Sequence, residues 1–292
     1  MKDIITKAEI LIEALPYIKN FFGKTFVIKY GGAAQVKEDL KDSFAKDIVL
    51  LNFIGIRTAV VHGGGPKISA MMERMGKAPQ FVQGQRVTDK ETMDIVEMVL
   101  GGLVNKEIVS LINSHGGKAV GLSGKDGGLI RAKKKLIKKT AETGADEIVD
   151  IGLVGEVDIV EPQIITSLQK EGFIPVVSPV GVGPNGETLN INADYVAASV
   201  ASALQAEKLI LLTDVPGIMD RNDKIVSTLR KPQIKKLIGS GTITGGMLPK
   251  VQACLNALEG NVSKAHIVDG RIPHCLLIEI FTKKGIGTEI EA

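Results

Sequence analysis

Two short β-branched segments of this chain each end directly in a cluster of glycines, and a helical pattern follows each cluster. Residues Thr25–Tyr30 precede Gly31-Gly32, and residues Arg57–His62 precede Gly63-Gly64-Gly65. The N-terminus of a helix offers unpaired N–H groups and the positive end of the helix dipole, and glycines let an anion approach those groups closely. Two such loops on neighbouring strands predict a site in which two anionic groups face each other for group transfer.

Runs of apolar, β-branched residues alternate with helical patterns over most of the chain. Further strands are predicted at 119–122, 174–178 and 208–213, and helices at 36–53, 67–75 and 89–113, the last with Thr88 or Asp89 as its N-cap. The strand segments are almost continuously apolar, a pattern typical of parallel strands that are covered on both faces. We therefore predict an α/β fold, a three-layer sandwich with a central, mainly parallel sheet.

A predicted helix in residues 1–22 precedes the first strand and carries its own apolar stripe. Pro16 lies within the pattern, so we expect a kink or a break there. The stripe either packs on its own domain or docks against the same helix of a neighbouring subunit, and the pattern leaves both open.

Two regions mix glycine, charge and β-branched residues as hairpins do, namely 79–87 and 131–160. The lysine run at 133–135 in the second region is predicted to form a solvated hairpin face. The densest cluster of turn residues, at 181–186, is a candidate boundary between two lobes.

Composition argues against several classes of protein. Lys and Arg number 36 against 33 Asp and Glu, a net charge of +3, and aromatic residues make up 4% with no Trp. These values disfavour a dedicated nucleic-acid binder. No apolar run reaches the ~18 residues of a membrane span, and the N-terminus does not resemble a targeting peptide. Cys254 and Cys275 form no redox or metal motif, which suits a reducing cytoplasm, and the four histidines show no metal spacing, so no metal site is predicted.

Two common nucleotide-binding motifs fail on inspection. A P-loop requires a glycine five residues before Gly23-Lys24-Thr25, where Ile18 stands, and this triplet precedes a strand instead of following one. A Rossmann fingerprint requires a third glycine at Ile68, three residues after Gly65.

Several charged and polar residues stand out against these glycine loops. Lys29 lies inside an apolar strand, although most lysines are surface residues, and Lys250 opens a helix shortly after Gly245-Gly246. Residues Asn190–Asp194 begin another helix and are either a turn with an N-cap or part of a site. Arg86, in a predicted hairpin, either clamps a carboxylate or is exposed.

Six segments in one order resemble the motifs of the amino acid kinase family. They are Lys29–Gly32, His62–Gly65, Gly84–Thr88, Asn190–Asp194, Leu212–Gly217 and Gly245–Lys250. Within that family they most resemble the branch that phosphorylates the γ-carboxylate of N-acetyl-L-glutamate with ATP, the second step of arginine synthesis. Aspartate, glutamate, carbamate and uridylate kinases share parts of the glycine pattern and remain alternatives. A catalytically silent arginine sensor on the same fold is a further alternative, which the presence of both lysines disfavours.

The resemblance implies a role for each motif. Lys29 and Lys250 resemble two lysines that stabilise the transition state, and Asp194 resembles the aspartate that organises them. The acetylglutamate contacts would be Gly64, Gly65, Arg86 and Asn190, and the loop beside the transferred phosphoryl group would be Gly31, Gly32 and Gly63. The nucleotide contacts would be Thr213, Asp214, Gly217, Asp220, Gly245 and Met247. ATP would carry the Mg²⁺ that the reaction needs.

The N-terminal helix and the last residues resemble the arginine-inhibited members of the family. The candidate arginine contacts are Tyr17, Lys208, His266, Glu279 and Gly287. The resemblance implies a hexamer built as a trimer of dimers, and it leaves open whether a PII-type signalling protein binds. The implied domains are an oligomerisation helix at 1–22, an acetylglutamate lobe at 23–180 that also dimerises, and a lobe at 181–292 for ATP and arginine.

Overall fold

A computed structural model describes residues 2–35, 37–140 and 146–292 of the chain. Its α-helices are α1 (Lys2–Phe21), α2 (Glu38–Phe53), α3 (Gly65–Arg74), α4 (Lys90–Glu97), α5 (Asn105–Ser114), α6 (Gln163–Lys170), α7 (Ala193–Ala203), α8 (Lys231–Gly239), α9 (Met247–Glu259) and α10 (Cys275–Phe281). A π-helix (Met98–Val104) joins α4 to α5, and 3₁₀ turns lie at Gly32–Gln35 and Asp126–Gly128.

The strands fall into one large sheet, one small barrel and one short hairpin. They are β1 (Thr25–Tyr30), β2 (Arg57–His62), β3 (Phe81–Val82), β4 (Gln85–Arg86), β5 (Ala119–Ser123), β6 (Ile130–Thr140), β7 (Asp146–Val160), β8 (Ile174–Ser178), β9 (Val180–Val182), β10 (Thr188–Ile191), β11 (Lys208–Thr213), β12 (Thr228–Arg230), β13 (Lys264–Asp269) and β14 (Thr288–Glu291).

The large sheet has eight strands in the order β12-β14-β13-β11-β1-β2-β8-β5. Every neighbouring pair is parallel except β13 and β14. The predicted mainly parallel sheet is therefore confirmed. Lys29 of the central strand β1 lies opposite Val61 of β2 and Leu211 of β11, so the loops that follow these three strands open at the same edge of the sheet.

Side chains alternate between the two faces of β1, and this alternation sets the direction of Lys29. Phe26, Ile28 and Tyr30 enter the apolar core on one face, whereas Val27 enters the core on the other. Lys29 shares the face of Val27, which is the face that α7 and α9 cover with their buried residues. The sequence of one strand thus aims a lysine at the N-terminal ends of two helices.

Strands β6, β7, β9 and β10 form a closed barrel beside this sheet. The predicted hairpin at 131–160 is confirmed as β6 and β7, although residues 141–145 lie outside the described residues. Lys134 forms an ion pair with Asp150 at 2.7 Å, and Lys133 lies 3.5 Å from Glu156. Acidic residues of β7 therefore offset part of the positive charge on this exposed lysine face. The short hairpin predicted at 79–87 is confirmed as β3 and β4.

Three helices differ from the expectations. Helix α1 continues through Pro16 to Phe21, so a break at Pro16 is wrong; the proline lies on the exposed face, where the carbonyl of Ile12 that loses its donor can meet water. Helix α2 begins at Glu38, and Val36 lies outside the described residues. The predicted helix at 89–113 is present with Asp89 as its cap, accepting from Thr92 N–H at 2.8 Å, but the π-helix interrupts it. Within the described ranges, no helix has the length and apolarity needed to span a bilayer.

Candidate active site

A buried carboxylate joins two lysines that come from distant parts of the sequence. Lys29 Nζ lies 3.0 Å from Asp194 Oδ1, and Lys250 Nζ donates to Asp194 Oδ2 at 3.1 Å. The contact of Lys29 with Oδ1 is one of charge, since among the described residues none donates a well-aligned hydrogen bond to Oδ1. The side chains of Lys29, Asp194 and Lys250 are 10%, 7% and 18% exposed. The structure therefore brings together the three residues predicted to be catalytic.

Local sequence explains how each helix presents its side chain. Asn192 caps α7 by accepting from the backbone N–H of Asp194 at 2.8 Å, which places Asp194 in the first turn of the helix. Gly246 is the N-cap of α9, and Lys250 follows in the first turn of that helix. Burial alone would raise the pKa of Asp194, but the two ammonium groups outweigh burial and hold that pKa below its ordinary value. Asp194 is therefore an anion that keeps both cations oriented.

Asn192 and Ala193, which directly precede Asp194 in the chain, line a cavity of about 210 Å³. Four predicted substrate residues line it, namely Gly64, Gly65, Arg86 and Asn190, together with Gly63. The lining also contains Gln85 and Asn192, which lie inside two of the six motifs but had no assigned role, and Phe81 and Leu100, which lie outside those motifs. The signal for Gln85 and Asn192 was their place close to Arg86 and Asn190 in the chain.

Arg86 is held firmly at the wall of this cavity. Its guanidinium donates to Gly65 O at 3.0 Å and to Ser69 Oγ at 2.8 Å, and it lies 4.8 Å from the centre of the Phe81 ring. The side chain is buried, so the exposed alternative for Arg86 is wrong. A guanidinium fixed beside a glycine loop is suited to bind a carboxylate.

Asn190 also lines the first cavity, near the end of the barrel strand β10. Its Nδ2 donates to Thr88 Oγ1 at 3.3 Å, and Thr88 Oγ1 donates to Arg86 O at 2.9 Å. A short chain of hydrogen bonds therefore links the amide of Asn190 to the strand that carries Arg86.

A second cavity, of about 460 Å³, lies on the side of Lys250. Its lining contains three of the predicted nucleotide residues, Thr213, Asp214 and Met247, and three residues with no assigned nucleotide role, Val215, Thr244 and Gly246. Val215 and Gly246 lie inside the motifs Leu212–Gly217 and Gly245–Lys250, and Thr244 directly precedes the second of these motifs.

Three other predicted nucleotide residues do not line this second cavity. A Cβ added at Gly217 would lie 2.7 Å from Thr288 Oγ1, so this glycine permits close packing against β14. Asp220 accepts from the N–H groups of Asn222 and Lys224 and closes a turn, and Gly245 has a φ of +54° in the loop before α9. A nucleotide role for Gly217, Asp220 and Gly245 stays a prediction.

The loop residues Gly31 and Gly32 follow β1 beside the lysine pair. A Cβ added at Gly31 would lie 3.0 Å from Lys29 Nζ, and one added at Gly32 would lie 4.0 Å from Asp214 N. Gly31 thus lies beside the ammonium group of Lys29, and Gly32 lies close to Asp214, which lines the second cavity. Gly63 N–H donates to Tyr30 O at 2.8 Å, which ties the second glycine loop to the end of β1.

A third cavity, of about 320 Å³, separates α1 from the end of the chain and is lined by Tyr17, Lys208, His266 and Glu279. Lys208 Nζ lies 2.8 Å from His266 Nε2, and His266 Nδ1 lies 2.7 Å from Glu279 Oε1. Because an ammonium can only donate, Nε2 accepts and Nδ1 carries the proton toward Glu279.

The carboxylate of Glu279 in this third cavity is held by the backbone as well. Oε2 accepts from the N–H groups of Ile286 at 2.7 Å and Gly287 at 3.0 Å, so Gly287 contributes only its backbone. Burial raises the pKa of Glu279, but the hydrogen bonds from His266 and from these two amides outweigh it and lower that pKa. Burial lowers the pKa of both His266 and Lys208.

This chain is similar to a known protein family over most of its length. The model of the amino acid kinase family matches residues 24–269. Acetylglutamate kinase of Geotalea daltonii is 58% identical over 292 residues, covering 100% of both chains. Acetylglutamate kinase of Sulfurihydrogenibium sp. is 56% identical over 297 residues, covering 99% of each.

Solved structures of one further protein resemble the whole chain. N-acetylglutamate synthase from Neisseria gonorrhoeae, complexed with coenzyme A and N-acetyl-glutamate, has a TM-score of 0.82 at 27% identity, and its complex with coenzyme A and L-arginine has 0.79 at 26%. The matches cover 98% and 97% of this chain, which spans 63% and 65% of the synthase chains. Because the family model covers most of its length and full-length relatives exceed half identity, this chain belongs to the amino acid kinase family and is an enzyme of the kinase class.

Proposed function

We propose that this enzyme transfers the γ-phosphoryl group of ATP to the γ-carboxylate of N-acetyl-L-glutamate, as the names of its full-length relatives suggest. ATP is the phosphoryl donor that membership of a kinase family implies. The observation that carries the proposal is the position of Asp194 with Lys29 and Lys250. Asn192 and Ala193, which directly precede Asp194, line the first cavity, and Lys250 lines the second.

In the proposed complex, acetylglutamate occupies the first cavity. The guanidinium of Arg86 forms an ion pair with the α-carboxylate, and the amide of Asn190 hydrogen-bonds to the acetamido group. The N–H groups of Gly64 and Gly65 donate to the γ-carboxylate. ATP occupies the second cavity, with Thr213, Asp214 and Met247 on its wall and its phosphates toward Gly31 and Gly32.

The reaction needs positioning and neutralisation of charge more than proton transfer. An oxygen of the γ-carboxylate attacks the γ-phosphorus, a new C–O–P linkage forms, and the bond to the β-phosphate oxygen breaks with its electron pair leaving on ADP. A carboxylate with a pKa near ~4 is already ionised at neutral pH, so no general base is required. The lysine ammonium groups would offset the negative charge that crowds the transferring group.

Magnesium would reach this site on the phosphates of ATP, where it would neutralise charge on the β- and γ-oxygens. Both oxygens of Asp194 face ammonium groups, so this carboxylate is poorly placed to bind a second cation. In the described part of the chain, no three His, Cys, Asp or Glu side chains are grouped as metal ligands.

Trapping of the acyl phosphate with hydroxylamine tests the proposed substrate. The enzyme would be incubated with ATP, Mg²⁺ and, in separate reactions, N-acetylglutamate, glutamate, aspartate and carbamate. We expect hydroxamate to form rapidly with N-acetylglutamate and at least 100-fold more slowly with glutamate, whose charged amine would replace the acetamido group. Equal or faster reaction with another acid would overturn the assignment of substrate.

We further propose that L-arginine inhibits the enzyme by binding in the third cavity. The carboxylate of Glu279 suits a guanidinium, and Lys208 suits the α-carboxylate of the ligand. Tyr17 of α1 lies on the same cavity, so the N-terminal helix would contribute to binding. A structural relative was solved with L-arginine, which supports the choice of ligand.

Titration with arginine tests this second proposal. The full-length enzyme should lose most of its activity at millimolar arginine, and a chain that lacks residues 1–22 should retain its activity and lose most of the inhibition. Full activity of the intact enzyme at 10 times that concentration would show that the regulatory proposal is wrong.

The proposal extends to assembly and domain roles. Helix α1 exposes Ile5, Ile10, Leu11, Ile12 and Leu15, an apolar surface that a second copy of α1 would cover in a hexamer. We propose that residues 1–22 mediate oligomerisation, that 23–180 bind acetylglutamate and form the dimer, and that 181–292 bind ATP and arginine. We also propose that the enzyme acts in the cytoplasm. Sedimentation velocity should show a hexamer for the full chain and a dimer for the chain without residues 1–22. The same number of subunits in both proteins would contradict this assembly.

A further inference from the structure

The end of β2 carries a histidine that the proposed reaction does not use. His62 is fully buried and immediately precedes the loop Gly63–Gly65, which lines the first cavity. Its Nδ1 lies 3.0 Å from Gly63 O, and its Nε2 lies 3.2 Å from Nδ2 of Asn105. The imidazole thus bridges the glycine loop and the first residue of α5.

The partners of Asn105 decide which nitrogen of His62 carries the proton. The same Nδ2 donates to Val176 O at 2.8 Å and lies 3.4 Å from Leu122 O, so it is an NH₂ group that faces acceptors. The Nε2 atom of His62 must therefore accept, and Nδ1–H donates to Gly63 O. Burial lowers the pKa of His62 to about 4, so the ring is neutral in this arrangement.

The π-helix packs against the same glycine loop. A Cβ added at Gly64 would lie 2.6 Å from Leu100 Cδ2 and 3.3 Å from Val104 Cγ2, and both of these side chains belong to the π-helix. Asn105 follows directly at the start of α5. One continuous segment therefore contacts Gly64 through apolar groups and His62 through an amide. Irregular π turns of this kind are frequent at functional sites.

We propose that His62 is a positioning residue, which, with Asn105 behind it, fixes the peptide planes of Gly63–Gly65 so that their N–H groups point at the bound acid. The residue acts through the loop and does not touch the reacting atoms. This inference rests on the proposed function, because the loop is the wall of the proposed acetylglutamate cavity. It predicts that loss of the bridge weakens binding of the acid substrate while ATP binding, in the second cavity, is unaffected.

Paired substitutions at His62 test the bridge. His62→Gln keeps a donor for Gly63 O and an acceptor for Asn105, whereas His62→Leu keeps only volume. We expect His62→Leu to raise the KM for N-acetylglutamate about tenfold, the effect of roughly one lost hydrogen bond to a buried group, with the KM for ATP within twofold of wild type. His62→Gln should recover most of the affinity.

Asn105→Ala provides a second test that does not depend on the folding of His62→Leu. It removes the donor to Nε2 and should raise the KM for N-acetylglutamate in the same way. Asn113→Ala is the matched control, because Asn113 lies on the same helix and its amide binds the backbone of Ala119 without touching the glycine loop.

The outcomes separate this inference from the proposed function. Specific loss of affinity for N-acetylglutamate in His62→Leu or Asn105→Ala, with rescue by His62→Gln and none of it in Asn113→Ala, supports the bridge. Equal rises in both KM values, or no change in either, would overturn it. If the wild-type enzyme phosphorylates no acid in the panel, the proposed function itself fails, whatever the variants do.

Discussion

Replacement of Asp194 by asparagine changes one charge at the point where the two lysines meet. Asparagine keeps the shape and one acceptor oxygen, but its NH₂ group would face one of the two ammonium groups, which now lie 3.0 and 3.1 Å from the carboxylate oxygens. At an effective dielectric constant of 20, each such contact is worth roughly 5 kcal/mol before the cost of burial is subtracted. The net loss is smaller, because removal of a carboxylate also removes its desolvation cost.

We expect Asp194→Asn to lower the free energy of unfolding by about 2–4 kcal/mol, near the lower end for a broken buried pair because Lys250 remains 18% exposed. The same loss of orientation should lower kcat by on the order of 10²-fold or more. Urea unfolding measures the first effect, and hydroxamate formation at saturating substrates measures the second.

Glu107→Gln is the matched control for this prediction. Glu107 also joins two lysines, Lys41 at 2.8 Å and Lys67, but its side chain is 36% exposed and neither lysine belongs to the trio. Its replacement should change kcat by less than about threefold and stability by less than about 1 kcal/mol. A kcat for Asp194→Asn within tenfold of wild type, or an equal fall in Glu107→Gln, would refute the organising role of Asp194.

Three further predictions address the rest of the molecule. Arg86→Lys should raise the KM for N-acetylglutamate by about 10–100-fold in steady-state assays, because lysine lacks the fork that now binds Gly65 O and Ser69 Oγ; an unchanged KM would contradict it. Glu279→Gln should raise the arginine concentration for half-inhibition at least tenfold with kcat unchanged, and equal sensitivity would count against the third cavity. Burial raises the pKa of Asp47 from 3.8 to about 6, so the folded state binds the proton of this carboxyl more tightly than the unfolded state does. The contribution of this proton to the free energy of unfolding is complete below pH ~4 and is lost as the pH rises through 6. In urea unfolding curves, this contribution should lower the free energy of unfolding by up to about 3 kcal/mol between pH 4 and pH 7, and the Asp47→Asn variant should not show this decrease.

Much of the fold follows from local sequence. The β-branched segments of β1, β2, β8 and β11 predict strands whose limits agree with the structure, because buried parallel strands need continuous apolar residues. Caps are equally local, and Asp89 and Asn192 act as their positions suggest. The break expected at Pro16 fails because one lost hydrogen bond on an exposed face does not end a helix of 20 residues.

The π-helix could not be predicted from the pattern at 89–113. A π-helix adds one residue to a helical turn, which leaves the apolar periodicity of the sequence almost unchanged. The packing of Leu100 against Gly64 is apparent only in the folded structure. The same limit applies to Asp47, whose Oδ1 lies 2.6 Å from Nδ1 of His274, at the other end of the chain.

The candidate site was only partly visible in the sequence. The glycine loops predicted an anion site, but spacing alone could not place Asp194 between Lys29 and Lys250, since these residues lie on three separate elements. The resemblance to a family supplied that expectation, and the alternation of side chains on β1 explains it physically. Spacing also left open whether Arg86 binds a carboxylate or is exposed. The folded structure decides this because it buries the side chain.

The most direct test of the account is the rate of phosphoryl transfer in Lys29→Met and Lys250→Met, measured in a single turnover with both substrates saturating. Methionine preserves the length and volume of lysine and removes only the charge. We predict that each substitution lowers this rate by on the order of 10²-fold or more while the folded structure and the KM for N-acetylglutamate are retained. A rate near that of the wild type in either variant would contradict the claim that two ammonium groups, oriented by Asp194, act on the transferring phosphoryl group.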